Sequence, residues 1–403
     1  MTEDGPMPLE GVRVIDVATI IAGPGVAAHL GDFGADVIKV EHPRTGDTAR
    51  NLGLKAEGVA LWWKLIGRNK RPVTLNLSHP KGRDLLLRLV ETADVLVESF
   101  RPGTLERWGL GPDALLERNP RLILLRTSGF GQTGPSAPRP GFGTLAEALS
   151  GYVALTGFPG PGQPPILPPV ALADETAALL GAYAVMVALY HRDVRGGTGQ
   201  VIDLSLFESL FRFTGPMATA YDKLGVVQER MGNRMSYAAP RGAYPTSDGR
   251  WVALSGTSQS VAERVFAAIG RPEMAEDPRF ATNEARVEHV EALDAAIAEW
   301  TSARTLDEAL AGFEAHQAAA APILDAAGIL DDPQYRARGT LVRVDDEELG
   351  DVLLPDVQPR LSATPGRIRH AGRPKGAAND EVYREELGLS DEELEGLAGD
   401  GVI

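Results

Sequence analysis

Val12-Arg13-Val14-Ile15-Asp16-Val17-Ala18 is followed by a glycine-bounded segment, residues 25–34, and then by Ala35-Asp36-Val37-Ile38-Lys39-Val40-Glu41. Two runs of β-branched residues around a short helical segment read as strand, helix, strand. The alternation continues outward: strand 73–77, helix 81–92, strand 94–98, helix 112–118, strand 121–125 and, much later, strand 200–206. Strands separated by helices predict an α/β fold built on a Rossmann-like, doubly wound parallel sheet with helices on both faces.

Beyond residue 223 the texture changes. Gly242-Ala243-Tyr244-Pro245-Thr246-Ser247-Asp248-Gly249-Arg250-Trp251-Val252-Ala253-Leu254 reads as a hairpin turned at Asp248-Gly249, and helices are expected at 261–269, 287–301 and 306–317. This predicts a large domain over 1–215, completed by a returning tail at 335–403, and a smaller α+β domain over 223–330. The tail carries a strand at 350–354 and acidic helical turns at 381–396, too little to stand alone.

Composition removes several function classes. The chain has 403 residues, 43% of them hydrophobic, and a net charge of −15, which argues against binding a nucleic-acid backbone. It has no cysteine, hence no disulfide framework and no thiolate nucleophile or ligand. The acidic start Met1-Thr2-Glu3-Asp4-Gly5 lacks a targeting pattern, and the longest apolar run is interrupted by Gly181. The expectation is a cytoplasmic protein without a membrane span. The seven histidines are scattered without metal-ligand spacing, so no metal is expected, and no G-x-S-x-G elbow is present.

Three features carry chemistry. Gly23-Pro24-Gly25-Val26-Ala27-Ala28 fits a dinucleotide fingerprint with Glu41 as its ribose acid, although Pro24 removes an N–H from the turn. This keeps a nicotinamide-dependent dehydrogenase as one reading. Arg44, Arg50, Arg68, Lys70, Arg71, Arg101 and Arg107 gather near strand ends and could meet a ligand with several phosphates, or simply form a solvated surface. Last, the proline-stiffened run Pro164-Pro165-Ile166-Leu167-Pro168-Pro169 leads to Asp174-Glu175-Thr176 and then to an uncharged segment, 177–190, expected to be a helix buried on nearly every side. Asp174 is either the N-cap of that helix or a carboxylate nucleophile held ionised at its positive end.

Taken together, Leu9-Glu10-Gly11-Val12-Arg13-Val14-Ile15-Asp16, Ala22-Gly23-Pro24, Leu30-Gly31-Asp32-Phe33-Gly34-Ala35-Asp36, Asn69-Lys70-Arg71, Glu98-Ser99-Phe100-Arg101-Pro102-Gly103 and Ser128-Gly129-Phe130-Gly131-Gln132-Thr133-Gly134-Pro135 resemble the class III coenzyme A transferases, the CaiB/BaiF family. The resemblance spans nearly the whole chain. It implies an interlocked homodimer and coenzyme A as a carried substrate with no permanently bound cofactor. Its partners would be an acyl-CoA and a small carboxylic acid. It places coenzyme A against Ile21, Ala22, His42, Leu75, Asn76, Leu77, Ser78, Ser99, Phe100, Arg101 and Arg107. His42 stands where a permanent cation is common in the family, and Ser99 where Asn is common.

By the same resemblance Asp174 is the catalytic aspartate, which attacks the thioester and passes through a mixed anhydride to an aspartyl-CoA thioester. The related α-methylacyl-CoA racemases add a His and an acid where this chain has Phe142 and Gly143, which leaves racemisation without its base. Glu147 and Glu175 are candidates for an accessory acid. Ser255-Gly256-Thr257-Ser258 replaces the glycine-rich flap of formyl-CoA transferases, which points instead to succinate, mesaconate, itaconate or glutarate, with Arg234 or Arg241 pairing a distal carboxylate. A CoA-binding protein without activity is the remaining alternative.

Overall fold

The computed structural model describes residues 5–403, and Met1-Thr2-Glu3-Asp4, part of the stretch read for targeting, lies outside them. The chain forms two compact units. The larger comprises the residues up to Val153, Leu167–Thr219 and Arg338–Ile403; the smaller comprises Ala154–Ile166 and Ala220–Ala337.

The larger unit is built on one six-stranded sheet: β1 (Arg13–Asp16), β2 (Asp36–Glu41), β3 (Lys70–Thr74), β4 (Val95–Glu98), β5 (Ile123–Ser128) and β6 (Gln200–Ser205). Its spatial order is β3-β2-β1-β4-β5-β6, and every neighbouring pair is parallel. Successive side chains leave opposite faces of a strand, and here both faces are dry. Val14, Val37, Val95, Val97, Ile123 and Leu125 pack on one side with Val26, Leu30, Val185 and Leu189. Ile15, Ile38, Leu96 and Leu124 pack on the other with Leu86, Leu89 and, from the tail, Val382 and Tyr383. The Tyr383 hydroxyl donates to the Thr74 carbonyl at 2.8 Å, which ties the tail beneath β3.

Two strands lie off their expected registers. β3 begins at Lys70, before the expected Val73, and β5 runs on through Arg126 to Ser128. In both, charges that look like loop residues are paired inside the sheet. Lys70 meets Asp16 at 2.8 Å, and Arg126 meets its register partner Glu98 at 2.8 Å.

Three helices bear on the site: α1 (Ala22–Asp32), α2 (Gly143–Leu149) and α3 (Leu172–Val194). α1 and α3 approach closely because small residues meet at the crossing. A Cβ on Gly25 would fall 2.7 Å from the Ala178 methyl, and one on Gly181 would fall 2.6 Å from Val26. The expectation that the 177–190 segment is buried nearly all round is incorrect. Ala177, Gly181, Val185, Ala188 and Leu189 form a buried stripe, while Leu179, Tyr183, Met186, Val187, Tyr190 and Val194 are exposed. Among the described residues α3 alone is long and apolar enough to cross a membrane. Its inner face is part of the core, and its buried Arg192 is paired with Asp94 at 2.8 Å.

The smaller unit has a three-stranded antiparallel sheet, Ala320–Pro322, Trp251–Ser255 and Arg241–Pro245 in spatial order, with the last two joined by the Asp248-Gly249 turn. Helices Gln259–Ala268, Val290–Ser302 and Leu306–Ala315 contribute Val265, Phe266, Ile297 and Phe313 to a core shared with Tyr244, Val252 and Leu254.

Candidate active site

In an open parallel sheet, ligands sit beyond the carboxyl ends of the strands where the strand order reverses. Here that point lies between β1 and β4, because β2 and β3 follow on one side while β5 and β6 follow on the other. A cavity of about 340 Å³ opens there, walled by Thr19, Ile20 and Ala22 after β1, Ser99, Phe100 and Arg101 after β4, and Thr127 to Gly129 at the end of β5. A second cavity of about 670 Å³ is walled by Ile21, Leu52, Trp62, Thr144, Glu147, Glu175 and the segment 167–171. Phe142, Gly143 and Asp174 line both. Asp174 therefore stands at the partition between them.

Asp174 is not the cap of α3. The capping position is Ala171, which makes no side-chain cap bond, and Asp174 sits in the first turn. Nor does the helix end hold it strongly ionised. Burial, then the neighbouring charges of Glu147 and Glu175, push its pKa up from 3.8 to about 6. Glu147, on α2, is buried and its Oε1 accepts from the Ala173 N–H at 3.4 Å, so it takes a share of the amide field at this end of α3. Glu175 is also raised, chiefly by burial, with Arg68 opposing. The result is a carboxylate that is mostly ionised at neutral pH yet more basic than an ordinary aspartate.

Glycine makes the partition possible. A Cβ on Gly143 would lie 2.0 Å from Asp174 Oδ2, closer than any side chain tolerates. The space beside Gly143, where the family's racemases are expected to carry an acid, is thus filled by the Asp174 carboxylate, and no histidine lines either cavity among the described residues. Gly129 and Gly141 make a similar backbone crossing, each leaving under 3 Å for a Cβ against the other.

The positions expected from the family resemblance to meet coenzyme A divide into two groups. Ile21, Ala22, Ser99, Phe100 and Arg101 line the two cavities with Asp174. His42, Leu75, Asn76, Leu77, Ser78 and Arg107 lie farther along the same edge of the sheet, in loops after β2 and β3 and in helix Thr104–Arg107 after β4, outside the lining of either cavity. The side chains of Leu75 and Leu77 point into the core, which leaves only their backbone for a ligand. Asn76 accepts from the Ser78 hydroxyl at 2.7 Å, shaping that turn.

The basic group is largely consumed internally. Arg50 grips Glu41 through two bonds of 2.6 and 2.7 Å, Arg68 pairs with Asp32 at 2.6 Å, Lys70 pairs with Asp16, and Arg71 joins Asp36 and Glu386. Only Arg44, Arg101 and Arg107 of that set make no ion pair among the described residues. The bond to Arg50 also removes Glu41 as a ribose ligand, and Gly23, Pro24 and Gly25 lie inside α1 rather than in a turn ahead of it. The nicotinamide reading loses both of its anchors. In the smaller unit Arg234 is taken by Asp294 at 2.7 Å, whereas Arg241 bonds only backbone carbonyls and lines a cavity of about 580 Å³.

Residues 9–379 match the profile of CoA-transferase family III. The chain belongs to that family. It is 41% identical to succinyl-CoA–D-citramalate CoA-transferase of Chloroflexus aurantiacus, over 99% of this chain and 98% of the relative. It is 44% identical to the beta subunit of succinyl-CoA–L-malate CoA-transferase of the same organism, over 98% of each chain. The crystal structure of a CaiB/BaiF family protein from Brucella suis superposes with a TM-score of 0.83 at 34% identity, covering 94% of this chain and all of that one. The chain is a class III CoA-transferase with the mixed α/β fold of CaiB/BaiF proteins, and acyl-CoA and carboxylate are its substrate classes.

Proposed function

We propose that the enzyme moves CoA from succinyl-CoA to a small dicarboxylic acid of four or five carbons through a thioester on Asp174. The observation that carries this is the place of Asp174, one carboxylate reached from two cavities. The Asp174 oxygen attacks the thioester carbonyl, and collapse expels the CoA thiolate and leaves a mixed anhydride. The thiolate then attacks the aspartyl carbonyl, succinate departs, and an aspartyl-CoA thioester remains. The acceptor carboxylate repeats the two steps in reverse and leaves as its CoA thioester. Covalent catalysis of this kind splits one slow exchange into faster steps, and it needs a nucleophile that is both ionised and basic at neutral pH. A desolvated Asp174 with a pKa near 6 meets both conditions.

Support for this donor and acceptor comes from relatives whose names specify succinyl-CoA with D-citramalate or L-malate. The cavity at the strand ends takes the thioester arm, with Ala22, Ser99, Phe100 and Arg101 along it and Ile21 facing the second cavity beside it, and the nucleotide end extends toward His42, the 75–78 turn and Arg107. In this reading the large Rossmann-like unit is the CoA-binding domain, the smaller unit a separate α+β domain, and the compartment is the cytoplasm, where acyl-CoA is available. A homodimer accounts for the exposed apolar face of α3, from Leu179 through Tyr183 and Val187 to Val194. A monomer mass in sedimentation would remove that part.

The decisive experiment incubates the enzyme with succinyl-CoA alone and traps with hydroxylamine or borohydride, then maps the adduct by mass spectrometry. Modification at Asp174 that depends on succinyl-CoA, and is lost in Asp174→Ala, is the expected result. Rapid CoA exchange without any adduct at Asp174 would overturn the mechanism.

A further inference from the structure

Four charged side chains lie inside the larger unit close to the Asp174 cavities, and CoA transfer uses none of them as acid, base or nucleophile. Asp16, Lys39 and Lys70 are 0% exposed and Asp47 is 1% exposed. Lys39 Nζ is 2.8 Å from Asp47 and 3.5 Å from Asp16, and Lys70 Nζ is 2.8 Å from Asp16. Removing such charges from water costs several kcal/mol per ion, and a well-packed apolar cluster would often stabilise a fold as well or better. Stability is thus a weak reason for their presence.

Their other bonds supply a stronger one. Each member bonds a backbone group of the segment that follows β1. Lys39 donates to the Ala18 carbonyl, and Asp16 accepts from the Ala18 N–H at 3.1 Å. Asp47 Oδ1 accepts from the Ile20 N–H at 3.0 Å, and Lys70 donates to the Pro24 carbonyl at 2.7 Å. From the neighbouring strand end, Ser99 accepts from the Thr19 N–H at 2.9 Å. Ile20, in the middle, has φ +74°, a conformation that a β-branched residue adopts only under constraint, at a cost on the order of 1–3 kcal/mol. Thr19, Ile20 and Ala22 wall one cavity beside Asp174, and Ile21 walls the other.

We infer that the Asp16–Lys39–Asp47–Lys70 network is a positioning device for the transfer reaction, holding Thr19 to Ala22 in the strained form that receives the thioester of acyl-CoA beside Asp174. This rests on the reading that the two cavities take acyl-CoA. The four residues act through the backbone and do not touch the reacting atoms. Asp47 has the most direct part, since one carboxylate oxygen serves the Ile20 and Ala49 N–H groups while the other faces Lys39. Lys70 is the member whose proton is loosened by the fold. Burial is the largest influence on the Lys70 ammonium, Asp16 opposes it, Lys39 adds to it and Asp47 opposes both, and the net effect is a pKa lowered to about 8. The groups facing it are Asp16 from β1, Lys39 from β2, Asp47 from the turn after β2, and His29 and the Pro24 carbonyl from α1. Once the proton leaves above that pH, Asp16 loses its partner and the Pro24 carbonyl loses a charged donor.

The test compares Asp47→Leu with Asp47→Asn in the full-length enzyme, measuring kinetic constants for succinyl-CoA and for the acceptor acid separately. Leu leaves the Ile20 N–H without an acceptor, whereas Asn keeps an oxygen in place. The expected result is a loss of about tenfold or more in kcat/KM for succinyl-CoA in Asp47→Leu, in line with the effect of misplacing substrate-positioning groups, most of it recovered in Asp47→Asn. The KM for the acceptor moves less. Equal kcat/KM in the two variants would overturn the inference. Should Asp47→Leu fail to fold, the wild-type enzyme gives a second measurement: kcat/KM for succinyl-CoA falls through a half-point near pH 8, and a flat profile from about pH 7 to pH 9.5 would overturn the inference as well. If the wild-type enzyme forms no Asp174 adduct, the reading of the cavities has failed. If the adduct forms and both measurements are flat, only the positioning role has failed.

Discussion

Replacing Asp174 by Asn should abolish transfer and make the protein more stable, by an amount that depends on pH in a defined direction. In the fold the Asp174 pKa is about 6, against 3.8 for an ordinary aspartate. A raised carboxylate pKa means that the folded protein holds the proton more tightly than the unfolded chain does. Below 3.8 both states carry it and nothing is lost; above about 6 both are ionised and the fold bears the full cost. At 1.36 kcal/mol per pH unit, that cost is about 3 kcal/mol at pH 8 and about 1 kcal/mol at pH 4.5. Asn has the same shape and no charge, so Asp174→Asn escapes the cost. At about 2 °C per kcal/mol, the lower end for large domains, Tm should rise by about 6 °C at pH 8 and by about 2 °C at pH 4.5. Differential scanning fluorimetry of the two proteins in parallel reads this, because titrations away from Asp174 and its two carboxylate neighbours are common to both. A variant that is less stable at pH 8, or a difference that does not change with pH, would refute the claim that burial and two neighbouring carboxylates oppose ionisation of Asp174.

Two further substitutions address the same partition. Glu147→Gln removes a negative charge that raises the Asp174 pKa, so the acid limb of kcat/KM should move to lower pH; an unmoved or upward-shifted limb would show that Glu147 does not act on Asp174. Gly143→Ser places a Cβ where Asp174 Oδ2 now lies, 2.0 Å away, so it should displace the carboxylate and reduce turnover by about 100-fold without unfolding the protein. Near-wild-type turnover in that variant, with circular dichroism unchanged, would mean that the carboxylate has room to move and still react.

The physics of this chain sorts what its sequence makes legible from what it hides. β1, β2 and β4 announce themselves because a parallel strand is apolar on both faces, so Val14-Ile15, Val37-Ile38 and Val95-Leu96-Val97 read as uninterrupted runs. Asp174 is equally visible, as an acid at the threshold of a long uncharged segment. What the sequence conceals is the destination of each charge. Lys70 and Arg50 stand beside strand ends exactly as ligand-binding cations would, and only the fold shows that Asp16 and Glu41 already hold them. The partner of Lys70 lies 54 residues away and that of Arg50 lies nine, and no local pattern marks either pair as closed.

Glycine has the same ambiguity. Gly23-Pro24-Gly25 has the spacing of a phosphate-binding turn, yet Gly25 is used to bring α1 against Ala178 of α3, and Gly143 is used to make room for a carboxylate. An absent Cβ serves a ligand, a helix crossing or a buried carboxylate with the same letter in the sequence. Both ambiguities are resolved at one place. The small residues that seat α3 against α1 fix the end of α3, and the buried charges fix the backbone that enters α1, so the two walls of the Asp174 partition are set from opposite sides. Loosening either contact alone would displace one wall relative to Asp174. A site assembled this way tolerates exchange of a surface arginine far better than the addition of a single carbon at Gly25 or Gly143.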